Sequence, residues 1–186
     1  MDLHPAVILG AVSRLTMALI FTAAAIHAMR DWAIYVAVVD QYQILPRSAG
    51  HIAARLLPPL SLVDAIILLT PSLPLTGPFL GVFLMIVFTV AVTINIHRGR
   101  VHIDCGCGGA DGQRLSLGLI ARNLVLMALL VVAAVAPAEA PLDASTALSI
   151  VGVAVVLFAF YFAANQLMTN QQALKAADLR RLPSPR

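Results

Sequence analysis

The sequence predicts an all-α fold: a polytopic membrane helix bundle of four to five transmembrane helices, plus an interfacial helix. Three observations predict it. The chain is 60% hydrophobic and 11% charged, with a mean hydropathy of +0.91, whereas soluble domains are about half apolar and about a quarter charged. Its apolar residues gather into long stretches that match a hydrocarbon core about 30 Å thick at a rise of about 1.5 Å per residue. Short proline-bearing segments without Lys or Arg, "TPSLPLTGP" and "APAEAPLD", separate two pairs of those stretches.

Taken in order, the expected spans are Ala6–Ala28, Ile52–Leu73, Phe79–His97, Leu117–Pro137 and Ala144–Met168. The first is read as a retained span, because "MDLHP" ahead of it has no Lys or Arg and a secretory signal opens on a positive region. Between the first two spans, "RDWAIYVAVVDQYQILPRSAG" is apolar but broken by Asp40, Gln41 and Gln43. Trp32, Tyr35 and Tyr42 suit the headgroup zone, where amphipathic rings concentrate. The segment reads either as an interfacial or re-entrant helix ending at Pro46, or as an ordinary amphipathic connector. Residues 1–170 form the bundle and residues 171–186 a polar C-terminal tail.

Five spans put the two ends of the chain on opposite sides. One side has no Lys or Arg in its loops; the other has Arg30, Arg47, Arg55, Arg98, Arg100, Arg114, Lys175, Arg180, Arg181 and Arg186. By the positive-inside rule that second side is cytoplasmic. The net charge of +3 comes from scattered residues. With no basic stripe interleaved with aromatics, nucleic-acid binding is not expected, and the lipid bilayer is the expected surrounding partner.

Charged and polar groups inside spans are costly and mark function or a partner. Here they are Arg14, His27, Asp64, Asn95, Arg122, Asn123 and Asn165. Counted from the side carrying the cysteines, Arg122 and Asn123 lie about two turns in and Asp64 about three, with Arg14 nearer the opposite face. Asp64 is therefore expected to pair with Arg122. The pair reads either as a structural bridge or as a polar floor that binds a quinone headgroup or another substrate.

Both cysteines, Cys105 and Cys107, sit in "INIHRGRVHIDCGCGGADGQRLS". Three readings of this loop stay open. Thiol–disulfide chemistry needs thiolate, which neighbouring cations and a helix start favour. Arg98, Arg100 and Arg114 flank the pair, and a span begins just after it. A disulfide across one residue closes a small ring, and strained, exposed disulfides are the labile ones. Metal binding is the second reading, with His97, His102, Asp104, Cys105 and Cys107 as donors, although the spacing fits no standard zinc pattern. In the third, the two thiols have no special chemistry.

Three stretches carry a resemblance: "YQILP" with "ARLLPPLSLVDAIILL", "INIHRGRVHIDCGCGG" and "ARNLVLMALL". They resemble, in turn, the Tyr-x-Leu-Leu-Pro segment and second-helix opening, the Asn-x-x-Arg-Gly run into Cys-Gly-Cys, and the Arg-Asn-x-x-Leu helix entry of the MauE family of methylamine utilisation membrane proteins. That family is distantly similar to DoxX-like proteins. Two features depart from its pattern. The acid after Leu-Pro is usually a Glu, whereas Asp64 is the nearest here and is shifted; and Cys-Gly-Cys is followed by Gly108 and Gly109 in place of Phe-Gly.

The resemblance implies a multi-pass protein of the cell inner membrane that serves processing, transport or maturation of the methylamine dehydrogenase small (β) subunit. That client is periplasmic and disulfide-rich. A thioredoxin-like MauD-type protein is the implied partner. Cys105 and Cys107 would then act as a thiol–disulfide oxidoreductase pair, with Arg98 and Arg100 stabilising thiolate and a quinone as one candidate electron acceptor. The alternative is a DoxX-like bundle that binds or transports a small molecule, its C-x-C loop structural or metal-binding. A periplasmic client needs the loop outside, against the arginine distribution.

Overall fold

The computed structural model describes residues 5–103, 105, 113–137 and 143–181, without the side chains of Arg47 and of residues 175–181. Among the described residues six helices follow one another: α1 (Pro5–Arg30), α2 (Trp32–Tyr42), α3 (Arg47–Leu68), α4 (Thr76–His97), α5 (Leu117–Val135) and α6 (Ala144–Arg181). All but α2 are long and apolar enough to cross a membrane, so the chain has the architecture of a multi-pass membrane protein. The bundle has a proline end, where α3 turns into α4 and α5 ends, and a cysteine end, where α4 turns into α5.

Helix α1 is the central element. It packs against α3, α5 and α6 and touches α2. Its Met17, Ala18, Ile20 and Phe21 form the main core with Ala65 and Leu68 of α3, Met85 of α4 and Leu126 and Leu130 of α5. Lipid tails are as apolar as these side chains, so burial by itself drives little association; close packing and hydrogen bonds between helices must hold the bundle. Small residues permit that packing. Gly77 and Gly81 lie four apart on α4: a Cβ on Gly77 would meet the backbone N of Leu68 at 2.9 Å, and one on Gly81 would meet Oδ2 of Asp64 at 2.9 Å.

Several boundaries differ from expectation. Helix α2 ends at Tyr42, where Gln43 adopts a left-handed conformation (φ 46°, ψ 40°) and its N–H bonds to the Asp40 carbonyl. Pro46 precedes α3 instead of closing α2; proline suits a helix start because its fixed φ fits and it needs no donor there. Helix α3 thus begins at Arg47, five residues ahead of the expected Ile52. Pro58 and Pro59 lie within it, where each removes one ladder hydrogen bond. Tyr35 is buried with Ala28 and Ala54, which links α2 to α1 and α3. Helix α6 runs beyond Met168 to Arg181.

Asp143 starts α6. Its carboxylate accepts hydrogen bonds from the hydroxyls of Ser145 and Thr146 and from the Thr146 N–H (3.2 Å). They satisfy a donor that the first turn leaves open and hold the carboxyl well below the usual carboxylate range.

Candidate functional site: the cysteine end and the polar layer beneath it

Helix α4 stops in "IHRGR" for a backbone reason. Gly99 takes φ +72°. The Gly99 N–H bonds to the Ile96 carbonyl and the Arg100 N–H to the Asn95 carbonyl, at 3.0 and 2.9 Å. This is the paired closure of a Schellman turn, which places glycine in the left-handed region. The Asn-x-x-Arg-Gly part of the motif is thus helix-stop chemistry. Arg98 Nη1 donates to the Gln43 carbonyl at 3.0 Å, tying the end of α4 to the end of α2.

Beyond the turn the chain forms two antiparallel rungs. Cys105 N–H donates to the Gln113 carbonyl (2.8 Å), and Leu115 N–H to the Ile103 carbonyl (3.2 Å). Two side chains fasten these legs to helices. Tyr42 of α2 donates its hydroxyl to the Cys105 carbonyl at 3.0 Å. Gln172 of α6 accepts from the Arg114 N–H at 2.9 Å and donates to the Arg114 carbonyl at 3.1 Å. Cys105 is 7% exposed and packs among Val92, Ile103, Leu115 and Leu119. It lies just ahead of α5, as expected, but in an apolar nest. Asp104 and Cys107 are outside the described residues. Among those described, no three of His, Cys, Asp or Glu come together as metal donors; His97 ends α4 and His102 follows in the loop.

One turn deeper lies a polar layer. Arg122 donates through Nε and Nη2 to Asn123 Oδ1 (3.2 and 2.9 Å) and through Nη1 to Asn165 Oδ1 (2.9 Å). Asn123 Nδ2 donates to Thr89 Oγ1 (3.1 Å), which donates to the Met85 carbonyl (2.6 Å). The Arg122 guanidinium also sits 5.6 Å from the centre of the Tyr161 ring, within cation–π range. The layer therefore joins α4, α5 and α6. Asn95 is buried nearby on α4 and donates to the Ala91 carbonyl at 3.0 Å, and His27 lies in the last turn of α1.

The expected Asp64–Arg122 pair does not form. Asp64 is fully buried, neither carboxyl oxygen has a hydrogen-bond partner among the described residues, and it faces Gly81 of α4. Because α3 starts early, Asp64 falls four residues before its last residue, Leu68, near the proline end. Arg14 does not pair with it either. Its Nη2 donates to the Ala133 carbonyl in the last turn of α5 (2.7 Å) and to the Pro74 carbonyl in the α3–α4 turn (3.0 Å). A cation at a helix C-terminus also complements the helix dipole. Tyr42, Gln172, Thr89 and Tyr161 belong to this end although sequence reasoning gave them no part in it. Tyr42 and Gln172 act on residues about sixty positions away, and no local pattern could announce them.

The geometry defines a class: a multi-pass helical membrane protein whose cysteine-bearing loop is fastened over an intramembrane hydrogen-bonded layer. Comparison with known proteins narrows it. The family described as methylamine utilisation protein MauE matches residues 6–136. Methylamine utilization protein MauE of Methylophilus methylotrophus is 35% identical over 164 residues, covering 87% of this chain and 86% of that one. The protein of the same name from Paracoccus denitrificans is 37% identical over 130 residues, 69% and 70% of the two chains. That from Paracoccus versutus is 34% identical over 153 residues, 81% and 82%. The chain belongs to the MauE family. No solved structure matches it.

Proposed function

We propose that this protein is a membrane accessory to maturation of the methylamine dehydrogenase small (β) subunit, working by thiol–disulfide exchange between Cys105–Cys107 and a thioredoxin-like MauD-type partner. The observation that carries the proposal is the fastening of Cys105 and Arg114. A loop with no task at its tip needs no clamp from α2 on one leg and a two-bond clamp from α6 on the other. In the exchange, a thiolate of the pair attacks one sulfur of the partner's disulfide, and that bond breaks as a mixed disulfide forms. The second cysteine then displaces the partner. Two electrons and two protons pass to the partner, which leaves as a dithiol, while the pair becomes a disulfide. Run in reverse, the exchange reduces the pair. Arg98 and Arg100, beside the loop in sequence, supply positive field that favours thiolate.

The membrane proposed is the inner one, with the loop on its periplasmic face. The arginines that argue for the cytoplasm include Arg98, which has a local task on Gln43, and charges with such tasks weaken a rule built on loop statistics. The test is the Cys105→Ser, Cys107→Ser double variant in cells making the dehydrogenase. Loss of correctly disulfide-bonded small subunit is expected. Undiminished maturation overturns the proposal. Labelling of intact cells with a membrane-impermeant maleimide should modify the wild-type loop and spare the double variant.

A further inference from the structure

Below the Cys105 nest lies a cavity of about 40 Å³. Its apolar wall includes Phe21 and Ala24 of α1, Leu57 and Pro58 of α3 and Phe88 of α4; Arg122, Asn123 and Tyr161 supply polar atoms. Val92 and Leu119 of the Cys105 nest are each four residues from Phe88 and Asn123. The cavity's polar wall is thus about 6 Å beneath the nest at about 1.5 Å per residue.

We propose that this cavity is a binding site for the oxygen-bearing head of a lipid-soluble molecule: an acceptor oxygen, as carbonyl or carboxylate, on an apolar body. A mostly apolar recess with a few converging polar groups is the usual form of a small-molecule site. The guanidinium at its wall is held in place, since bonds to Asn123 and Asn165 and the ring of Tyr161 fix it from two helices. A lone arginine near the end of a span extends its flexible stem toward the headgroups; this one is tethered beside the cavity.

The polar wall is also reachable. Arg122 and Tyr161 are half-buried, so their exposed faces leave this wall open to the surroundings of the bundle. Size limits what enters. The space would hold roughly two or three waters, enough for a carbonyl or carboxylate group. The apolar body must therefore lie in the mouth or displace Phe88 and Leu57. Fatty-acid carboxylates and quinone carbonyls share this chemistry. The site does not depend on the proposed thiol exchange, and the Cys105→Ser, Cys107→Ser variant should bind as wild type does.

The single tryptophan supplies the readout. Trp32 lies 6.2 Å, ring centre to ring centre, from Tyr35, which also lines the cavity. The purified protein in phosphatidylcholine nanodiscs is titrated with 11-bromoundecanoic acid and, separately, with decyl-benzoquinone, both quenchers of tryptophan. Saturable one-site quenching by the bromo acid assigns a carboxylate ligand, and by the quinone a carbonyl ligand. Arg122→Leu should weaken that binding tenfold or more. Ala24→Leu, which fills the cavity and leaves the Arg122 bonds in place, should abolish it and keeps the test decisive if the arginine variant fails to fold. Quenching that rises linearly with both probes, or saturable quenching indifferent to Ala24→Leu, overturns the site and leaves a hydration pocket.

Discussion

The two ends of the bundle handle an arginine within a spanning helix in opposite ways. At the proline end Arg14 reaches backbone carbonyls, Ala133 and Pro74, and closes a helix terminus and a turn. At the cysteine end Arg122 reaches side-chain amides and an aromatic ring beside a cavity. Backbone carbonyls cannot leave without unravelling the helix that carries them. Side-chain amides can rotate away and return. An intramembrane charge is thus not one kind of signal: what it bonds to separates the arginine that holds the fold from the one that lines a recess.

The largest effect should come from Arg14→Leu. It removes two charge-assisted bonds and leaves the Ala133 and Pro74 carbonyls without that donor, a loss of roughly 3 kcal/mol. Equilibrium unfolding in mixed micelles measures it. A loss below about 1 kcal/mol would erase the distinction between the two ends. Tyr42→Phe should act locally at the cysteine end. Losing its bond to the Cys105 carbonyl costs about 1 kcal/mol, about a fivefold larger open population. In a Cys107→Ser background, native-state alkylation of Cys105 should quicken by about that factor while the unfolding midpoint barely moves.

Smaller still is the coupling between Asp64 and Arg122. A double-mutant cycle with Asp64→Asn and Arg122→Gln should give an interaction energy within about 0.5 kcal/mol of zero, as for separate sites. A coupling of about 2 kcal/mol would restore the ion pair and join the two ends electrically. The smallest effect concerns Asp143. Its carboxyl is depressed in the folded chain, so its contribution is complete above the unfolded value of about 3.9 and is lost as pH falls through the folded one. First-turn amide protection in α6 should decline only in acid, and Asp143→Ala should remove that decline without changing global unfolding.

Much of this arrangement was legible. Apolar length marked every spanning helix, because the bilayer imposes one scale on all of them. The third span's expected end at His97 is where α4 stops. That Asp64 stands apart from Arg122 was not legible, since depth counted from a supposed start at Ile52 cannot see that α3 begins at Arg47. The Gly77 and Gly81 spacing was there to read as a close-packing signal but went unused; it would have pointed to the face of α4 against which Asp64 of α3 rests. The Arg122 layer needed the fold, because Thr89, Asn123 and Asn165 come from three helices.

The contact between Gln172 and Arg114 makes α6 a measuring rod. From Ala144 to Gln172 the helix rises about 42 Å, more than the roughly 30 Å of a hydrocarbon core. Arg114 is held at that graduation, so the altitude of the loop's second leg above the bilayer is read off a helix rooted at the far surface. The rod fixes compass bearing as well as height, since each residue turns it by about 100°. One residue inserted between Tyr161 and Gln172 would lift Gln172 only slightly yet swing its amide to another face. The loop would lose its anchor through rotation, with every membrane contact before the insertion unchanged.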